Sequence, residues 1–130
     1  MSAAALITVS EQLRRIPAPV RPIVQASRRT IRSIAPKADE AAYQSRQPRS
    51  KSAMWKIIRY TLDDEPVVAI GTFPTYSTLF FYRGRELEDA TGLLEGSGPD
   101  LRFLRLRIPA DASRASVKRL VRNAFRIAKA

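Results

Sequence analysis

Apolar residues in the first third of the chain recur at the spacing of an α-helix. The members of this stripe are Val20, Ile23, Val24, Ile31 and Ile34. They lie three or four positions apart, and the arginines between them point away from the stripe. Proline is tolerated in the first helical turn and stops a helix elsewhere, so Pro22 and Pro36 mark its two ends. The pattern predicts one long amphipathic helix, preceded by a short helix that begins near Ser10.

From residue 54 onward the sequence takes on the aromatic and β-branched composition of β-strands. Strands are predicted at 54–62, 66–72, 77–83 and 101–108, and 38–43 is a candidate short edge strand. The acidic run Asp63-Asp64-Glu65 separates the first two strands and predicts the turn of a β-hairpin. Short connections between strands indicate that sequence neighbours pair in the sheet.

The last predicted strand indicates which side of the sheet faces the core. Leu104, Leu106 and Ile108 alternate with Phe103, Arg105 and Arg107. Successive side chains of a strand point to opposite faces, so we expect the aliphatic residues in the core and the arginines on an exposed face. A second amphipathic helix is predicted at 113–128, where its apolar stripe can help to cover the sheet.

These patterns predict an α+β fold in one domain, with an antiparallel sheet of about four to five strands covered on one face by N-terminal and C-terminal helices. Within residues 1–130 we expect a helical N-terminal segment at 1–36, the sheet at 53–108 and the C-terminal helix at 113–128. The apolar stretch at 3–7 is too short for a signal peptide, and no stretch approaches the roughly 20 apolar residues that cross a bilayer. We therefore expect a cytoplasmic protein without membrane contact.

Positive charge is concentrated at the two ends of the chain. The formal net charge is +11, from 23 basic and 12 acidic residues. Residues 1–60 carry 12 basic and 3 acidic side chains, residues 61–100 carry 2 and 8, and residues 101–130 carry 9 and 1. If both ends fold onto one side of the sheet, they form a positive face that attracts an anionic small molecule, an acidic protein or a nucleic acid. A solvated surface that only keeps the protein in solution explains the same charge.

The chain contains no cysteine and no histidine, which removes the usual nucleophiles, the commonest general base and most transition-metal sites. We therefore expect no cofactor, and a non-enzymatic protein rather than an enzyme. The glycine-rich segment 92–98 lacks the lysine of a phosphate-binding loop. One enzymatic alternative stays open, in which Glu95 and Arg102 act together across this segment. A salt bridge that holds the loop is the simpler interpretation of that pair.

The candidate ligand-binding residues are Trp55, Arg59, Glu95, Arg102, Arg105 and Arg107. The aromatic and cationic residues among them are typical of surfaces that bind single-stranded nucleic acid, because bases stack on rings and phosphates pair with arginine. Tyr60 is a further ring that this arrangement could expose. Aromatic residues in strands more often pack in the core, so we expect at most two exposed rings.

Several short motifs resemble those of the YdhG-like family, a bacterial domain of unknown function. They are Phe81-Tyr82-Arg83-Gly84, Leu87, Asp89, Leu94-Glu95-Gly96-Ser97-Gly98 and Arg102, with a looser match at Ile31-Arg32-Ser33-Ile34-Ala35-Pro36, Glu40 and Met54-Trp55. The resemblance implies an antiparallel sheet packed on helices. Some relatives are described as frataxin-like intracellular iron chaperones, which makes iron handling an alternative function. The main hypothesis is a non-enzymatic binding or accessory domain that holds an anionic ligand or partner on the exposed sheet face.

Overall fold

The computed structural model describes residues 5–44 and 56–129, which form a six-stranded antiparallel sheet and three α-helices. The strands are β1 (Ala5–Ile7), β2 (Asp39–Gln44), β3 (Lys56–Leu62), β4 (Glu65–Thr72), β5 (Ser77–Phe81) and β6 (Arg102–Leu106). The helices are α1 (Val9–Arg15), α2 (Arg21–Ile34) and α3 (Ala115–Lys129), and two 3-10 helices span Gly84–Glu86 and Pro109–Ser113. The α+β class is confirmed.

The six strands lie side by side in chain order, and each is antiparallel to its neighbours. The expected number of four to five strands is therefore wrong. β1 was not predicted, since three residues are too few to show a strand period, and it interrupts the segment expected to be helical. β2 is not an edge strand, because it lies between β1 and β3.

Local signals account for the start of α1 and for the hairpin turn. The side chain of Thr8 accepts a hydrogen bond from the backbone N–H of Glu11 at 3.1 Å, so α1 begins before Ser10. Asp63 and Asp64 have φ angles of 50° and 66°, the left-handed pair of a two-residue turn whose twist matches that of the strands. The first two acidic residues therefore form the turn between β3 and β4.

All three helices pack on one face of the sheet, the core face. One row of this face crosses five strands and consists of Ala42, Ile58, Ile70, Leu79 and Leu104. Buried residues of α2 and α3, such as Ile23, Ile31, Val117 and Leu120, belong to the same hydrophobic cluster. Burial of each large aliphatic side chain stabilises the fold by roughly 1.5–3 kcal/mol. The basic helices α2 and α3 thus lie on the same side of the sheet.

The alternation predicted for the last strand is confirmed over its length but not at its end. Leu104 and Leu106 are buried, and Arg105 is exposed on the opposite face. Ile108 is 53% exposed, so its predicted place in the core is wrong. β6 ends at Leu106 because the carboxylate of Asp111 accepts hydrogen bonds from the backbone N–H groups of Arg107 and Ile108, which turns the chain into a 3-10 helix.

Candidate functional site

The face of the sheet opposite the core, here called the open face, is covered by no helix in the described ranges. Its central rows are Tyr43, Ile57, Gly71, Thr78 and Arg105, and Ala41, Arg59, Ala69, Phe80 and Phe103. None of these residues belongs to the hydrophobic core cluster. The small residues at the centre are buried, whereas the rings and arginines around them are half-buried or exposed. The open face therefore presents aromatic and cationic side chains around a floor of small residues.

Arg59 lies near two tyrosine rings on the open face. Its guanidinium carbon is 5.0 Å from the ring centroid of Tyr43 and 6.0 Å from that of Tyr82. Its Nε donates a hydrogen bond to the hydroxyl oxygen of Tyr82 at 3.1 Å. No carboxylate lies within 4.0 Å of this guanidinium in the described part of the chain. The rings hold the arginine in place by cation–π attraction but leave its charge unneutralised.

Arg105 repeats this arrangement at the other side of the open face. Its guanidinium carbon is 5.5 Å from the ring centroid of Tyr76. Tyr76 in turn stacks on Phe73, with ring centroids 4.6 Å apart and planes inclined by 7°. Phe80 and Phe103, with centroids 6.1 Å apart, continue the row of Arg59 across β5 and β6. The described residues offer Arg105 no carboxylate within 4.0 Å either.

The structure brings Glu95, Arg105 and Arg107 together in a cleft of about 320 Å³ at the outer edge of β6. Glu95 reaches this edge because its backbone exchanges two hydrogen bonds with Phe103, at 2.7 and 3.0 Å. Backbone groups of alternate strand residues point to the same edge, so those of Arg105 also face the cleft. Arg114 lines it as well and pairs with Asp111 at 2.8 Å. No sequence pattern pointed to Arg114.

Arg102 does not join the other candidate residues, and its expected salt bridge with Glu95 is not formed. Glu95 is paired with Phe103 and shares the open face, whereas Arg102 is paired with Phe81 on the core face. Its Nη1 donates to the carbonyl oxygens of Gly98 and Leu101 at 2.7 and 2.8 Å. Arg102 therefore holds the glycine-rich loop through backbone carbonyls, and the enzymatic alternative lacks its pair of side chains.

Tyr60 and the nearby Lys56 on β3 do not contribute to the open face. Trp55 is outside the described residues. Tyr60, whose exposure the sequence left open, is only 1% exposed and belongs to the core. Lys56 is also buried, and burial, followed by repulsion from Arg15, lowers its pKa from 10.5 to about 8. Tyr60 and Lys56 each lie two residues from Ile58 and therefore point to the core face of the sheet, as Ile58 does. Without the strand register, the sequence could not show which residues of β3 face the core.

Glu40 on β2 is the centre of a cluster of hydrogen bonds and ion pairs. Arg28 donates two hydrogen bonds to this carboxylate, Arg32 donates one, and the hydroxyl of Tyr60 donates another at 2.6 Å. Burial opposes ionisation of Glu40, but the hydrogen bonds from Arg28 and Tyr60 outweigh it and hold its pKa below the ordinary value of 4.5. Burial and the hydrogen bond to Glu40 raise the pKa of Tyr60. This centre joins α2 to the sheet.

The described residues contain no group of three or more acidic side chains arranged to hold a metal ion. The iron-handling alternative therefore has no candidate ligand set in residues 5–44 and 56–129. In the same ranges, no helix combines the length and the apolar character needed to span a bilayer.

Comparisons with protein-family models, with curated proteins and with solved structures found no match. The resemblance to YdhG-like domains stays a prediction.

Proposed function

We propose that this chain is a non-enzymatic binding domain that holds an anionic ligand on the open face of its sheet. The supporting observation is that Arg59 and Arg105 lie against tyrosine rings with no carboxylate partner in the described residues. An arginine placed in this way can pair with a phosphate or carboxylate of a ligand without first breaking an internal ion pair. We propose a cytoplasmic location, where phosphorylated metabolites and nucleic acids are present.

The aromatic rings favour a ligand that carries flat groups as well as negative charge. The stacked pair of Phe73 and Tyr76 lies under Arg105, and Phe80 and Phe103 extend the aromatic area across two strands. Bases stack on such rings with roughly 1–3 kcal/mol per base, largely without sequence preference. A single-stranded oligonucleotide combines both features and is the ligand that we would test first.

The test compares two oligonucleotides of equal charge, each about 12 nucleotides long, at about 50 and 200 mM salt. One carries bases and the other is abasic. Binding through the rings predicts at least about tenfold tighter binding of the base-bearing strand. Fluorescence anisotropy with a labelled strand measures both affinities.

The variant Arg59→Ala with Arg105→Ala should weaken binding of the base-bearing strand by about tenfold or more, since each arginine can make a charge-assisted contact. The matched control is Lys37→Ala with Arg85→Ala, which removes the same charge from exposed positions outside the strands of the sheet. The proposal is wrong if neither strand binds at low salt, if the abasic strand binds equally well, or if the two double variants lose the same affinity.

A further inference from the structure

A second positive surface lies on the opposite side of the molecule, on the outer side of the helices. The sequences of α2 and α3 contain no acidic residue. Their basic residues are Arg21, Arg28, Arg29 and Arg32 in α2, and Lys118, Arg119, Arg122, Arg126 and Lys129 in α3. This concentration of charge lies outside the proposed binding site on the open face.

Only part of this charge is used inside the protein. Arg28 and Arg32 pair with Glu40, and Arg21 donates hydrogen bonds to backbone carbonyls at the end of α1. The others have no carboxylate within 4.0 Å in the described chain. We call them the basic helix face: Arg29, Lys118, Arg119, Arg122, Arg126 and Lys129.

The basic helix face is regular and continuous. Arg119, Arg122, Arg126 and Lys129 are all exposed and follow one another three or four residues apart. With a rise of about 1.5 Å per residue they form a row about 15 Å long. A groove of about 400 Å³ between α2, the 3-10 helix Pro109–Ser113 and the start of α3 is lined by Arg29 and Lys118. The groove links the charge of the two helices.

Repulsion within the row on α3 opposes the stability of that helix. Like charges three or four residues apart on a helix repel each other. Arg126 and Lys129 lie in the last turn of α3, where cations interact favourably with the helix dipole, but Lys118, Arg119 and Arg122 lie outside that turn. A row of like charges that lacks carboxylate partners among the described residues is complementary to an external polyanion.

The chemistry of the surface favours nucleic acid over an acidic protein or a lipid surface. Protein interfaces and interfacial membrane helices both need exposed apolar anchors. The large exposed hydrophobic residues among those described are Leu6, Leu101 and Ile108, and none belongs to α2 or α3. Phosphates advance about 3.4 Å per nucleotide along one strand of a duplex, so the row on α3 spans about four of them.

We propose that the basic helix face binds the phosphate backbone of double-stranded nucleic acid. Four of its six residues are arginines, which can donate two hydrogen bonds to one phosphate. Binding of this kind reads no base sequence and falls steeply with salt. It does not depend on the open face, so the duplex and single-strand functions can stand or fall separately.

The test measures affinity for a labelled DNA duplex of about 16 base pairs between about 50 and 200 mM salt. The variant Arg122→Ala with Arg126→Ala should weaken binding about tenfold or more at the lowest salt. The slope of log affinity against log salt should fall by about 1.8, or 0.9 for each lost phosphate contact. Because both residues are exposed on a helix, alanine should preserve the fold, which thermal unfolding checks.

Four comparisons accompany the measurement on the helix variant. Lys37→Ala with Arg85→Ala should bind the duplex nearly as well as the unchanged protein, and an RNA duplex should show the same dependence on Arg122 and Arg126 as DNA. Unchanged duplex affinity and slope in the helix variant overturn the proposal. So does tighter binding to polyglutamate of equal charge, which would indicate an acidic protein partner. If duplex binding is lost only in the variant Arg59→Ala with Arg105→Ala, the duplex binds to the open face. The proposed function of the open face then stands, and the inference about the basic helix face is wrong.

Discussion

Arg28 on α2 and Arg59 on β3 are both half-buried and both lie near tyrosines, yet the protein uses their charge differently. Arg28 is bound through two hydrogen bonds to Glu40, which Tyr60 also contacts. Arg59 lies against Tyr43 and Tyr82 and meets no carboxylate in the described residues. In the first arrangement an internal carboxylate neutralises the positive charge, and this ion pair joins a helix to the sheet. The second orients positive charge and leaves it available, which is why the open face is the better candidate for ligand binding.

The largest effect that tests the comparison between Arg28 and Arg59 is expected from Glu40→Ala. This change leaves the buried hydroxyl of Tyr60 and the guanidinium of Arg28 without their acceptor, so we expect a loss of about 2–4 kcal/mol in the free energy of unfolding. Urea denaturation measures it. Glu86→Ala is the control, because its ion pair with Arg83 is exposed and should matter far less. A loss in Glu40→Ala no larger than in the control would contradict the assignment of Glu40 as a structural centre.

A smaller effect is expected at Gly84, which lies against Arg102. A Cβ atom at this position would lie 2.4 Å from the Cβ of Arg102, so Gly84→Ala should cost about 1–3 kcal/mol through overpacking. At Gly98 a Cβ would meet nothing within 4 Å, and Gly98→Ala serves as the matched control. Thermal unfolding distinguishes the two. Affinity for the single strand should stay unchanged in a folded Gly84→Ala protein, and a selective loss of binding would return Arg102 to the site.

The smallest effect is the pH dependence of the Glu40 centre. The pKa of Glu40 is lower in the folded protein than its ordinary value of 4.5, so ionised Glu40 stabilises the fold above that pH. This contribution is lost as the pH falls through the folded pKa. The protonated carboxyl can still accept hydrogen bonds, so the loss should be smaller than in Glu40→Ala.

The difference in unfolding free energy between the unchanged protein and Glu40→Gln isolates this group from the other carboxylates. We expect that difference to shrink between about pH 6 and pH 3. A constant difference over this range would show that the charge of Glu40 does not hold Arg28 in place.

Patterns within single segments predicted much of the fold. Proline bounded α2, the acidic pair at Asp63 and Asp64 predicted the hairpin, and the alternation through Leu104 and Leu106 showed which face of β6 is buried. The sequence predictions were wrong where a contact with another segment of the chain determined the structure. Ile108 leaves the core because Asp111 ends β6, and β1 is defined only by its pairing with β2.

The candidate site was predicted less completely than the fold. Charge and alternation identified Arg59, Arg105 and Arg107, and these lie on the open face or at its edge. The tyrosines that hold Arg59 come from β2 and from the end of β5, and no spacing in the sequence brings them together. In the sequence, Glu40 stood out only as part of the family resemblance. Its three hydrogen-bond donors come from α2 and β3, so no local pattern pointed to it.

The side-by-side order of the strands has a consequence for how the chain acquires its structure. Each strand pairs with the segment next to it in sequence, so the sheet can grow by steps of short range, which favours rapid folding. The cover of the core face is different, because α2 and α3 come from opposite parts of the chain. During synthesis the hydrophobic core face of the sheet stays partly exposed to solvent until α3 has been made. Aggregation through this face is most favoured in that interval.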